Sequence, residues 1–147
     1  MSKLVLSFSL CFVVCAFFAS SSHAQCKRFT EKQCLPNLSP FTNNGQINNA
    51  TLFEGDSASL IMTFYSLLDY RLMVCSHNVL GDSVHFKVRD NDGNLLFNSL
   101  DAGKNNWDFR VNSTQDLMVS VIAPEDSENM TDIPASGCVS ISVGFKE

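Results

Sequence analysis

Val84-His85-Phe86-Lys87-Val88-Arg89-Asp90-Asn91-Asp92-Gly93-Asn94-Leu95-Leu96-Phe97-Asn98 is the stretch that decides the fold. Val84, Phe86 and Val88 alternate with His85, Lys87 and Arg89. Successive side chains of an extended chain point to opposite sides, so this alternation is the mark of a half-buried β-strand. Asp90-Asn91-Asp92-Gly93 interrupts it with residues that tolerate left-handed backbone angles, and Leu95, Leu96 and Phe97 follow. The stretch predicts a strand, a tight turn and a returning strand.

The same period recurs on both sides. Trp107, Phe109 and Val111 alternate with Asp108 and Arg110; Leu117, Val119 and Val121 with Met118, Ser120 and Ile122; Val139, Ile141, Val143 and Phe145 with Ser140, Ser142 and Gly144. Towards the N-terminus, Tyr70 to Cys75, Ala58 to Tyr65 and Thr51-Leu52-Phe53 read as strands, with Glu54-Gly55-Asp56 as a turn. That gives roughly seven or eight short strands with turn signals every ~8–12 residues, and no helical stripe after residue 50. The predicted class is all-β, an antiparallel β-sandwich of jelly-roll or immunoglobulin-like kind, with a closed barrel as the alternative. Residues 25–36 predict a short helical segment ended by Pro36, and residues 37–49, with Pro40, Gly45 and several Asn, a loop. Residues 123–137 predict an exposed acidic loop carrying Glu125, Asp126, Glu128 and Asp132, which more often means solvation than a cation site.

The first residues read differently. Met1-Ser2-Lys3 is a short charged start, Leu4 to Ala19 is almost wholly apolar, and Ser20-Ser21-Ser22-His23-Ala24 supplies small residues for a cut after Ala24. This is the order of a secretory signal peptide. The organisation expected is a signal peptide over 1–24, a disulfide-closed segment and loop over 25–49, and a β-sandwich over 50–147. Gln25 before Cys26 is not the small residue that lipid attachment requires, so the product is expected to be soluble, in the periplasm or secreted. No other apolar run is long enough to span a bilayer, so no membrane span is expected in the mature form.

Removing the leader leaves nine basic against 15 acidic residues, a net charge of −6. Nucleic acids and anionic membranes select basic patches, so neither is an expected partner. Cys26, Cys34, Cys75 and Cys138 also remain, an even set that reads as two disulfides in an exported domain. Three pairings are possible. The expected one is Cys26–Cys34, closing a local loop, with Cys75–Cys138 tying the middle of the domain to its last strand. In a continuous helix, cysteines eight apart would lie ~12 Å apart along the axis, so that pairing requires the chain to fold back between them. Zinc is disfavoured, because there is no Cys-x2-Cys pair and His77 and His85 lack a fitting spacing.

Asp90 and Asp92 in the turn are the sharpest metal candidates, because carboxylate and amide oxygens at alternate positions can ligate calcium. The cluster fails as an EF-hand, since Val88 and Ser99 fall at loop positions one and twelve. A hairpin turn accounts for the same residues, and no cofactor is required. Asn49, Asn112 and Asn129 are sequons that matter only in a eukaryotic host; a fourth, at Asn37, is spoiled by Pro40. Phe64, Tyr65, Tyr70 and Trp107 are candidates for an aromatic sugar platform, although Trp107 is in phase with Phe109 and Val111 and reads as core. No Gly-x-Ser-x-Gly or His-Glu-x-x-His occurs, and no catalytic residue is assigned.

Thr63-Phe64-Tyr65, Tyr70 to Cys75, Val84 to Asp90, Trp107-Asp108-Phe109, Ser113-Thr114-Gln115 and Gly137 to Phe145 together resemble small exported bacterial β-sandwich proteins of unknown function. Val84 to Phe97 is also similar to the accessory β-sandwich domains that follow secreted bacterial peptidases. The resemblance implies a fold and a compartment, not a mechanism; the accessory domains are noncatalytic, but that role does not carry over to this chain. The expectation is a binding or interaction module for a glycan or a protein. The alternatives are a structural envelope or matrix protein pairing through its strand edges, or a small secreted hydrolase.

Overall fold

The computed structural model describes residues 22–81, 84–125 and 134–147. Two antiparallel sheets face each other. One contains β1 (Thr42–Asn43), β2 (Asn48–Phe53), β9 (Ser136–Lys146), β4 (Asp69–Ser76) and β7 (Asn106–Arg110). In it β1 and β2 lie end to end along one edge of β9, and the order continues β9-β4-β7. The other runs β3-β8-β5-β6, from β3 (Ser57–Phe64), β8 (Gln115–Ile122), β5 (His85–Arg89) and β6 (Leu95–Asn98). The predicted all-β sandwich is the observed architecture.

The stretch Val84–Asn98 forms β5, a turn and β6, as predicted. Gly93 donates its N–H to the Asp90 carbonyl at 3.0 Å and has φ +84°, a conformation that glycine adopts without a Cβ clash. Phe86 and Val88 face inward, with Val119 and Val121 of β8 opposite them in register. Leu72 and Val74 of β4 and Val139 and Val143 of β9 close the core from the other sheet. A short helix α2 (Ser99–Ala102) follows β6, capped by Asn98 Oδ1, which accepts from Leu100 N–H. Buried Ser99 Oγ accepts the Phe86 N–H at 2.8 Å, a ladder position that β6 does not reach.

β4 and β9 depart from simple alternation. Met73, Ser140, Ser142 and Gly144 are buried although they point away from the core. Their outer face is covered by the N-terminal segment: α1 (Ser22–Phe29), a π-helical turn at Thr30–Cys34 and a 3-10 turn at Leu35–Leu38. Cys34, Leu38 and Met73 form a second small core there, with Phe29, Leu35 and Cys75 against it. Strands covered on both faces lose their polar side, as in the buried sheets of layered proteins.

Three expectations are corrected here. Cys26 is bonded to Cys138, not to Cys34, and Cys75 is not bonded to Cys138. The reason is that the helical segment runs unbroken from Ser22 to Leu38, so the chain never folds back to bring Cys34 to Cys26. Pro36 does not end the segment. It sits in the first turn of the 3-10 helix, where a missing N–H costs nothing. Residues 37–49 are not all loop, because β1 and the start of β2 at Asn48 lie within them.

After a cis Ser39–Pro40 bond, the segment joins the sheet through Phe41. Arg71 of β4 lies over the Phe41 ring at 4.7 Å, donates to the Ser39 carbonyl at 2.9 Å, and forms a two-pronged pair with Asp108 of β7. Phe41 fits because Gly144 of β9 has no side chain. A Cβ there would stand 2.7 Å from Phe41 Cβ and 3.4 Å from the Thr42 carbonyl oxygen. Gly144→Ala is therefore expected to destabilise by about 1–3 kcal/mol through overpacking, read as a lower urea midpoint at unchanged slope.

Candidate functional site

The two long sides of the sandwich are finished differently. Between β6 and β7, Phe97 stacks on Trp107 at 5.4 Å, and Trp107 on Phe109 at 4.0 Å. These rings fill the gap between sheets. On the opposite side, β1 and β2 face β3, and among the described residues β3 pairs only with β8. A cleft of about 510 Å³ opens there and continues past Asn48 and Leu60 into a second of about 320 Å³.

The β1–β2 connection builds one lip. Asn43 Oδ1 accepts from Gly45 N–H at 2.7 Å and Asn44 Oδ1 from Gln46 N–H at 3.0 Å, so two successive side-chain turns hold Asn44 and Gln46 beside the cleft. Asn48, opposite core residue Ile141, is a polar residue at an inward-facing position of β2. The other lip is Leu60 to Tyr65 of β3 and its end, and the floor includes Leu68, Tyr70, Val143 and Phe145. None of the residues lining the larger cleft is a carboxylate, an imidazole or a thiol. Such a surface can offer amide hydrogen bonds, aromatic faces and a free strand edge, which suits recognition.

The turn from β3 to β4 stands at the mouth of this cleft. Tyr65 N–H donates to Tyr70 Oη at 3.0 Å, Ser66 N–H to Thr114 Oγ1 at 3.1 Å, and Leu67 N–H to the Val111 carbonyl at 2.8 Å. These bonds hold Leu67 at φ +67°, a left-handed conformation that bulky residues rarely adopt. Tyr65 is 63 % and Leu67 68 % exposed. Two large apolar side chains are thus held in solvent by a strained turn whose geometry is fixed from three directions. Strain of this kind, about 1–3 kcal/mol, collects at functional segments. Leu67 is not legible in the sequence, because a leucine in a turn carries no positive-φ signal of the kind that glycine or asparagine does.

The predicted site residues are dispersed. Phe64, Tyr65 and Tyr70 all line the larger cleft, whereas Trp107 lies on the closed side, so the four do not form one platform. Asp90 Oδ1 accepts from the backbone N–H groups of Asp92 and Asn94, and Oδ2 from Asn94 Nδ2 at 2.9 Å. Its carboxylate therefore caps its own hairpin, and among the described residues no group of three or more His, Cys, Asp or Glu is placed to hold a metal ion. Asn49 is half-buried in β2, Asn112 is exposed after β7, and Asn129, Asp126, Glu128 and Asp132 lie outside the described residues.

These hydrogen bonds, that from the Asn94 side chain foremost, hold the Asp90 carboxyl below the usual carboxylate range. A carboxyl whose pKa is lower folded than unfolded contributes stability above its unfolded value and loses it as pH falls through the folded one. Asp90→Asn is expected to flatten that acid-side decline, visible as a smaller change of urea midpoint between neutral and strongly acidic pH. The Arg71 guanidinium does the same for Asp108, with the same sign.

No family model matches the chain, and no curated protein matches it. Solved structures of similar fold exist. One is PliG of Aeromonas hydrophila, a periplasmic lysozyme inhibitor of g-type lysozyme, at 10 % identity and a TM-score of 0.50, with 73 % of this chain and 89 % of that chain covered. At this identity the likeness concerns the fold. No helix among the described residues is long and apolar enough to cross a membrane.

Proposed function

We propose that this chain is an exported, noncatalytic module that binds a protein partner at the mouth of the β2–β3 cleft. The observation that carries the reading is the strained turn that holds Tyr65 and Leu67 in solvent beside an amide-lined cleft and a free strand edge. An exposed tyrosine next to a concavity is the kind of anchor that binding hot spots favour, and Leu67 adds apolar surface beside it. The edge of β3 away from β8, unpaired among the described residues, offers main-chain donors and acceptors to an extended segment of a partner. The sandwich it shares with PliG supports a protein rather than a small molecule as the partner, and export follows from the leader-like first 24 residues.

A g-type lysozyme is the first probe. Saturable binding in a calorimetric titration is expected, with inhibition of cell-wall clearing in parallel. Tyr65→Ala with Leu67→Gly should weaken the affinity by roughly 30-fold or more, the scale of a hot spot worth 2 kcal/mol. Leu67→Gly relieves the left-handed strain, so the same variant should remain as stable as the parent or exceed it. Lost stability together with lost binding would mean that the turn is structural. The glycan reading rests on Asn44, Gln46, Asn48 and the tyrosines. A thermal shift with a soluble cell-wall oligosaccharide, alongside no response to lysozyme, would favour it over the protein reading.

A further inference from the structure

Once Cys26 and Cys138 have bonded, Cys34 and Cys75 are the cysteines left among the described residues, and the fold puts them side by side. Cys75 of β4 stands opposite Ser140 of β9. Alternation places Cys138 and Ser140 on one face of β9, so Cys75 and Cys138 share the outer face of the sheet. The Cys26–Cys138 bond fastens α1 to that face. Eight residues further along the same helical segment, Cys34 is delivered onto Cys75 and Ser140. Cys34 is fully buried with Leu38 and Met73, while Cys75 packs against that cluster and keeps partial access to solvent. Cys75 thus packs against the same buried cluster that holds Cys34, which brings the two thiols together.

We propose that Cys34 and Cys75 form a second disulfide, which makes the N-terminal helical segment a doubly stapled clamp over β4 and β9. The step needs an oxidant, a small or protein disulfide of an oxidising compartment. The accessible Cys75 thiolate attacks one sulfur of that disulfide, forms a mixed disulfide and releases the first thiolate of the oxidant. Cys34 gives up its proton to that released thiolate and attacks the Cys75 sulfur, which expels the second. Two S–H bonds are lost and one S–S bond is formed. Both electrons and both protons leave with the oxidant as two thiols.

The order of attack follows from the environment. The hydrogen bond from Cys34 holds the Cys75 thiol below its usual range, whereas that bond and burial push Cys34 up. The thiolate is the nucleophile, so Cys75 leads and Cys34 resolves.

The test uses the full chain, purified without reductant, treated with oxidised glutathione, then denatured in iodoacetamide, digested and weighed. A peptide pair joined through Cys34 and Cys75 is expected, with no alkylation at either until reductant is added. Alkylated Cys34 and Cys75 without reductant would overturn the proposal. So would glutathione left on Cys75 with Cys34 free, or Cys26–Cys34 and Cys75–Cys138 peptides. In brief alkylation of the native, reduced chain, Cys75 should be labelled well before Cys34. Equal labelling would remove the assigned order of attack.

Discussion

Cys138→Ser is expected to lower stability by about 4–5 kcal/mol, a large part of the margin of an ordinary domain of this size. The bond joins residues 112 apart in sequence. In the chain-entropy model, a loop of that length removes much of the freedom of the unfolded chain, and breaking it returns that freedom. The native state also loses a tether. Cys26 is buried, its sulfur lies 3.5 Å from Thr51 Oγ1, and its partner sits in β9, the strand that pairs with β1, β2 and β4. Urea denaturation should show a lower midpoint, together with a steeper slope because the released chain exposes more surface. Cys26→Ser should behave alike, and the double variant should be no worse than either single one. A loss below about 1 kcal/mol in both single variants would show that these two cysteines are not joined in the folded protein.

Phe64→Ala is the second large effect, at about 3–5 kcal/mol. Phe64 is the last residue of β3 and is 1 % exposed. Its ring meets Tyr70 edge-on at 5.0 Å and Phe109 at 5.1 Å, so it joins both sheets. Truncation would remove the ring from water-free packing and leave a void between β3, β4 and β7. The ring also lines the cleft, so water can enter part of that void, which should hold the cost towards the lower end. Phe109→Ala, at a half-buried edge position, should cost less. Reversal of that order, read from thermal or urea midpoints, would show that the aromatic core is centred on the closed side rather than beneath the cleft.

The sheets were legible because their signal is local. Val84 to Asn98 declares a hairpin through alternation and turn chemistry, both properties of neighbouring residues. Leu117 to Ile122 alternates in the same way, because one face of β8 meets the core and the other meets solvent. Legibility declined where distant parts of the chain set the environment. Ser140 and Ser142 read as the solvent side of β9, yet they are buried because the N-terminal helical segment lies over them. The cleft was only partly visible. Phe64, Tyr65 and Tyr70 stand out in the sequence as aromatics, whereas Asn44, Gln46 and Asn48 read only as loop composition.

By itself the sequence determined the β-sandwich class, the positions of most strands, the hairpin at Asp90–Gly93, the acidic charge and the even set of cysteines. Each follows from period, turn residues or counting, which depend on no contact between remote residues. Tertiary structure alone decided which cysteines meet, which side of the sandwich is closed by Phe97, Trp107 and Phe109, and that Leu67 takes a left-handed conformation in solvent. Those outcomes depend on where strands far apart in sequence are brought together. Pairing of β9 with β1, β2 and β4, and the covering of its outer face by the helical segment, fix them through packing that no short window of residues contains.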